Sequence, residues 1–278
     1  MARDRSGQST MKRVLKGLTA RLAASEPARI LVEHLVYPAL IRRIVEEIRP
    51  DGASPSGVAE ALAWKVHSYI VFEKELRTTG ENCSGPRMRH DEETREHFFD
   101  VLAKANAPDG DILEFGVFQG KSLRLFAARF PLRRIYGFDS FEGLPEDWWN
   151  RPQGTFKTDM PRIDEARVRL VRGRFDETLP GFLEEWSGKA AIIHIDCTLY
   201  TSTMACLPLV LSRSQQGTIV IFDEYYNYPD FAQHEWRAWR ELRRRYRLTA
   251  PCIAYDARRV AFQIADLGDL VPKSSSAY

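Results

Sequence analysis

From Pro108-Asp109-Gly110-Asp111 onward, the chain alternates short apolar runs with helical stretches. Five runs predict strands: 112–117, 134–139, 168–171, 191–196 and 218–223. Uninterrupted apolar runs separated by helices predict a parallel sheet covered on both faces. Near the end, 252–255 and 259–264 flank Asp256-Ala257-Arg258 and predict a hairpin, an antiparallel pair at one sheet edge. Upstream the period is helical. Ile41, Ile44, Val45 and Ile48 share one face. Further helices are predicted over 58–76 and 91–105, with loop signals at 50–57 and 80–86 between them. The division is therefore a helical region, 1–105, an α/β domain, 106–270, and a tail, 271–278. No internal repeat is visible.

Charge and composition narrow the function classes. Forty Lys and Arg stand against thirty-eight Asp and Glu, a formal net charge of +2. A chain this balanced is not built around a cationic surface for nucleic acid. Residues 1–50 carry ten basic and five acidic residues, which a solvated helix packed on the main domain or on a second subunit explains. The apolar stretch 30–48 contains Glu33, His34, Arg42, Arg43, Glu46 and Glu47, too many charges for a membrane span. No signal peptide is expected. Cys83, Cys197, Cys206 and Cys252 form no CxxC pair, and free thiols are expected. These features together predict a soluble cytoplasmic protein.

In an open α/β sheet, ligands bind beyond the carboxyl ends of the strands. The first strand runs into Glu114-Phe115-Gly116-Val117-Phe118-Gln119-Gly120-Lys121-Ser122. Gly116 and Gly120 let the backbone approach a ligand, and Ser122 begins a helix. The second strand ends at Asp139, 23 residues after Gly116. An acid about 20 residues past a glycine turn can accept hydrogen bonds from both ribose hydroxyls of a nucleoside. A dinucleotide would put its pyrophosphate at this turn, and Glu114 would repel it. The same carboxylate suits the ammonium or sulfonium of S-adenosylmethionine, which is therefore the expected cofactor.

Five parallel strands followed by an antiparallel hairpin resemble the Rossmann-like class I methyltransferase fold, a mostly parallel seven-stranded sheet. Five motifs follow in the order of the TylF-like family of macrocin and mycinamicin O-methyltransferases. They are EFGVFQGKS (114–122), YGFDSFEGLP (136–145), GRFDETLP (173–180), HIDCTLYTST (194–203) and FDE (222–224). The resemblance spans roughly residues 85–265 and implies roles. Glu114, Gly116 and Ser122 would line the methionine end of the cofactor. Asp139 and Ser140 would hold its ribose, and Phe175 and Asp176 would lie near adenine. Asp196, Asp223 and Glu224 would face the acceptor hydroxyl, where the family binds magnesium. A divalent ion lowers a hydroxyl's pKa as a Lewis acid, and magnesium prefers carboxylates and waters.

One departure stands out. The family's fourth motif has a second acid where this chain has Thr198. His234, just after the fifth strand, is a candidate replacement base alongside Asp196. His194, inside an apolar strand, reads as a hydrogen-bonded core histidine. The resemblance implies a homo-oligomer that transfers methyl groups to a hydroxyl of a small-molecule natural product, a sugar hydroxyl among the options. Two rivals stay open: different chemistry on the same cofactor, such as N-methylation, and an inactive cofactor-binding partner subunit.

Overall fold

The computed structural model describes residues 71–72, 92–228, 230–256 and 258–270. The predicted helices before residue 70, most of the 1–105 region and the 271–278 tail lie outside them. Helix α1 (Glu92–Lys104) leads into β1 (Asp111–Phe115), α2 (Lys121–Arg129), β2 (Ile135–Asp139), β3 (Val168–Arg172) and α3 (Phe175–Glu185). Then come β4 (Ala190–Ile195), α4 (Tyr200–Leu211), β5 (Ile219–Phe222), α5 (Glu235–Tyr246), β6 (Cys252–Tyr255) and β7 (Val260–Gln263). The seven strands form one sheet in the order β3-β2-β1-β4-β5-β7-β6. The first five are parallel; β7 is antiparallel to both β5 and β6. This is the Rossmann-like methyltransferase topology, and each expected strand lies within about two residues of its place.

The apolar runs are continuous because both sheet faces are covered. Residues two apart share a face, so Ile112, Ile192, Ile219 and Ile221 pack with Phe98, Phe99 and Leu102 of α1 and with Leu123 and Phe126 of α2. Leu113, Phe115, Ile193, Ile195, Val220 and Phe222 face the other way, toward Leu179 and Phe182 of α3, Leu207 and Val210 of α4 and Trp239 of α5. Burying each such side chain contributes roughly 1.5–3 kcal/mol. Phe72 also belongs to this second layer, stacked on Tyr226 with ring centroids 4.7 Å apart.

Trp239 is fully buried, while Arg240 lies over the half-buried Trp236 ring at 4.2 Å. The basic face of α5 is thus a solvated helix face with its tryptophans turned inward. Cys197 and Cys206 are free thiols, as expected. Cys252 is disulfide-bonded, which corrects the expectation for that residue and removes the cysteine argument for a reducing compartment. Among the described residues, no helix is long and apolar enough to cross a membrane.

The switch point lies between β1 and β4, where the strand order reverses. Crossovers run outward to both sides of it, so the loops at their carboxyl ends part and leave a cleft.

Candidate active site

The cleft has a volume of about 1220 Å³. Its walls come from the turn after β1, the loops after β2 and β3, the ends of β4 and β5, the β6–β7 turn and Arg95 of α1. Of the expected cofactor residues, Gly116, Ser122, Asp139, Ser140, Phe175 and Asp176 line it. Gly120 instead forms the left-handed N-cap of α2, at φ 74°. No side chain caps that helix and its first turn holds no acid, so its amide groups suit a carboxylate ligand.

This wall is built largely by backbone. Gly116 has φ +96°, and a Cβ there would stand 2.0 Å from the Asp196 carbonyl oxygen. Only glycine lets β1 and β4 end so close together. Asp139 accepts three backbone hydrogen bonds. Oδ2 takes the amides of Val117 and Phe118, each at 2.8 Å, and Oδ1 takes that of Phe141 at 2.7 Å. One carboxylate thus pins the β1–α2 turn to the β2 loop.

Glu114 departs from the expected arrangement. It is fully buried and does not line the cleft. Register explains this: Glu114 pairs with His194 across β1 and β4, and both side chains lie on the α1–α2 face. Its Oε1 accepts from Ser122 Oγ and lies 3.2 Å from His194 Nδ1. The negative charge expected to attract a sulfonium is answered inside the protein.

His194 anchors a row of buried charges. Its Nε2 lies 3.7 Å from Asp223 Oδ1. Burial alone would strip the proton, yet the Asp223 and Glu114 carboxylates on either side hold its pKa up at about 10. Asp223 Oδ1 also accepts from Arg259 Nε at 2.6 Å, and its Oδ2 from Arg95 Nη2 at 3.0 Å. Against its own burial, Arg259, His194 and Arg95 hold the Asp223 carboxyl well below the usual range. Arg259 reaches Asp256 at 2.7 Å, and Arg258 Nη1 reaches Glu224 Oε1 at 2.6 Å. Burial pushes Glu224 up to about 7 despite Arg258.

Asp196 differs from its neighbours. It is half-buried and lines the cleft, and among the described residues no hydrogen bond or ion pair holds its carboxylate. Burial, then the Asp223 charge, push its pKa well above the usual carboxylate range. A carboxylate of this kind facing a cleft is suited to accept a proton.

Thr198 stands at φ 63°, unusual for a β-branched residue. Its amide donates to Glu235 Oε1 at 2.8 Å, while the Glu224 amide donates to Glu235 Oε2 at 3.1 Å. The first residue of α5 therefore ties together the loops after β4 and β5. His234, the candidate base, precedes it as N-cap. It does not line the cleft; it stacks on Tyr228, with centroids 6.1 Å apart, and burial lowers its pKa. Tyr225, Tyr226, Tyr228 and Trp148 are buried in the core, and of these Trp148 also lines the cleft.

The residues that sequence reasoning missed are Arg95, Arg258, Arg259 and Glu235. Arginine is ordinary on a helix or at a hairpin turn, so composition carries no signal for the first three. The capping position of Glu235, at the start of α5, is the one local hint.

The outer lip is a self-bonded loop. Leu144 N donates to Thr155 O and Gly154 N to Leu144 O, at 2.8 and 2.9 Å. Within it Trp148 and Arg151 exchange two backbone bonds of 2.8 Å. Arg151 lies 5.1 Å over the Phe156 ring, and Phe156 meets Phe118 edge to face at 5.7 Å.

Comparison with known proteins agrees with this architecture. A curated relative from Streptomyces olivaceus, the 8-demethyl-8-(2,3-dimethoxy-alpha-L-rhamnosyl)-tetracenomycin-C 4'-O-methyltransferase, is 29% identical over 146 residues, 44% of this chain. The chain spans about half the length of that relative, 55%. The structure of CalS11, calicheamicin methyltransferase, superposes with a TM-score of 0.54 at 27% identity, covering 64% of this chain and 82% of that one. The O-methyltransferase NovP gives a TM-score of 0.49 at 22% identity, over 63% and 79% of the two chains. Residues 113–225, from β1 to just past β5, match the family model described as a methyltransferase domain.

Proposed function

We propose that the protein is an S-adenosylmethionine-dependent O-methyltransferase acting on a hydroxyl of a small-molecule natural product, a sugar hydroxyl of a glycosylated acceptor. The observation that carries this reading is Asp196, a carboxylate held by no partner among the described residues, in the same cleft as the backbone-built wall. The 4'-O-methyltransferase named above supports the sugar, and the five ordered motifs support a TylF-like relationship.

The wall fits the cofactor. The open N-terminus of α2 suits its carboxylate, and Ser140 and Asp139, which line the cleft, would face its ribose. Phe175 and Asp176, which line the cleft as well, would lie near its adenine. When bound, S-adenosylmethionine supplies an electrophilic methyl carbon on a sulfonium. Asp196 accepts the proton of the acceptor hydroxyl as the new O–C bond forms. The proton ends on Asp196, and the bound cofactor would supply the leaving group, its sulfur keeping the electron pair of the C–S bond. Thr198 does not deprive the site of a base, because Asp196 fills that role, and His234 stands outside the cleft.

The residues do not fit magnesium. Both Asp223 oxygens and one Glu224 oxygen already hold guanidinium groups. The expected set Asp196, Asp223 and Glu224 is thus left with Asp196 as its one unpaired carboxylate, and no step here passes through a metal.

Calorimetric titration with S-adenosylmethionine and S-adenosylhomocysteine tests the cofactor. Dissociation constants on the order of micromolar are expected for both. No binding of either compound sinks the reading.

A further inference from the structure

We infer that Arg95, Arg258 and Arg259 take the place of a divalent cation, so that the acceptor hydroxyl is activated by Asp196 beside guanidinium groups and not beside a metal ion. This rests on the O-methyl transfer reading proposed above.

The donor geometry carries the inference. His194, Asp196 and Asp223 offer atoms within 4.8 Å of one another, a spacing that could hold an ion. But both Asp223 oxygens and Glu224 Oε1 are already committed, which leaves an ion only the Asp196 carboxylate and the buried Glu224 Oε2. Asp223 receives Arg259 on Oδ1 at 2.6 Å and Arg95 on Oδ2 at 3.0 Å. Glu224 receives Arg258 at 2.6 Å. Three guanidinium groups, those of Arg95, Arg258 and Arg259, thus lie against the carboxylates Asp223, Glu224 and Asp256. A dication added at Asp223 would have to displace one of them. The family's second acid, which would restore negative charge, is Thr198 in this chain.

The arginines differ in role. Arg259 is almost fully buried and bridges Asp223 to Asp256, so it is a positioning residue. The Arg95 and Arg258 side chains keep 20% and 26% of their surface exposed and line the cleft with Asp196. Guanidinium groups beside a hydroxyl stabilise developing negative charge on its oxygen. They do so without the open coordination positions that an ion requires.

Electron paramagnetic resonance of Mn2+ tests this without knowledge of the acceptor. Purified protein is titrated with Mn2+ alone, with and without S-adenosylhomocysteine. Wild type and Thr198→Asp are expected to leave the free-ion signal unchanged. The Arg95→Gln/Thr198→Asp double variant opens Asp223 Oδ2 and adds an acid at a backbone conformation that aspartate tolerates. It is expected to bind Mn2+ roughly tenfold or more tighter than wild type. Stoichiometric Mn2+ binding by wild type overturns the inference. So does equal binding by Thr198→Asp and the double variant, since the missing acid alone would then exclude the ion. A double variant that stays silent while still binding S-adenosylhomocysteine overturns it as well. Failure of wild type to bind S-adenosylhomocysteine instead sinks the cofactor reading, which keeps the two apart.

Discussion

The two sides of the cleft are made by different means. On the β1–β2–β3 side, amides and glycines shape the wall, and Asp139 serves mainly to hold two loops. On the β4–β5–β7 side, charged side chains from separate elements neutralise one another around Asp196. A backbone-built wall depends on conformation and tolerates many side chains. A charge-built wall depends on balance, because removing one partner strands another in low dielectric.

The largest effect should come from breaking that balance. Arg259→Met leaves Asp223 and Asp256 without their shared cation. It is expected to cost about 3–5 kcal/mol of stability, read by urea denaturation. Pairing it with Asp223→Asn should recover part of the loss; no recovery would show that packing, not charge, governs the site. Next, Asp196→Asn should lower kcat by roughly 10²-fold or more with S-adenosylhomocysteine affinity unchanged. A variant that keeps its rate removes Asp196 as the base. Third, Asp139→Ala strands three amides and should weaken S-adenosylhomocysteine by about 2 kcal/mol, while the denaturation midpoint moves little. Equal damage from the Asp139 and Asp196 variants to cofactor affinity would erase the contrast between the two sides.

The smallest effect is a slope with pH. The folded-state pKa of His194, about 10, lies above its ordinary 6.5. Its contribution is therefore complete below about pH 6.5 and is lost as pH rises toward 10. Glu224, raised to about 7, has largely titrated by pH 8. Stability should fall between pH 8 and 9.5, by at most ~1.4 kcal/mol per unit, and the slope should flatten in His194→Gln. A slope that persists in that variant would assign it to another group.

The fold was legible because it is written locally. Continuous apolar runs such as Ile192-Ile193 and Ile219-Val220-Ile221 can only be strands buried on both faces, and Asp256-Ala257-Arg258 marks the hairpin turn between β6 and β7. The backbone-built wall was legible in part: Gly116 and Asp139 line the cleft where their spacing put them, but the three backbone amides that Asp139 holds were not foreseen. The charge-built wall was not. Whether Glu114 faces a ligand or His194 depends on the β1–β4 register, and Arg95 reaches Asp223 across 128 positions of sequence. The pairing of the acids expected to hold magnesium was hidden for the same reason. Three acids were visible along the chain, and the arginines that occupy two of them were not.

The lip formed by 144–155 has its own consequence. It closes on itself through Leu144, Gly154 and Thr155, and it shares no ion pair with the buried charges. Its exposed part, Trp149 included, can therefore change by exchange of one contiguous segment while Leu144 and Trp148 stay anchored in the core, whereas the buried charges can change only in concert. Diversification of such an enzyme should run through this cassette, with new acceptors gained by loop replacement around an inherited reaction centre.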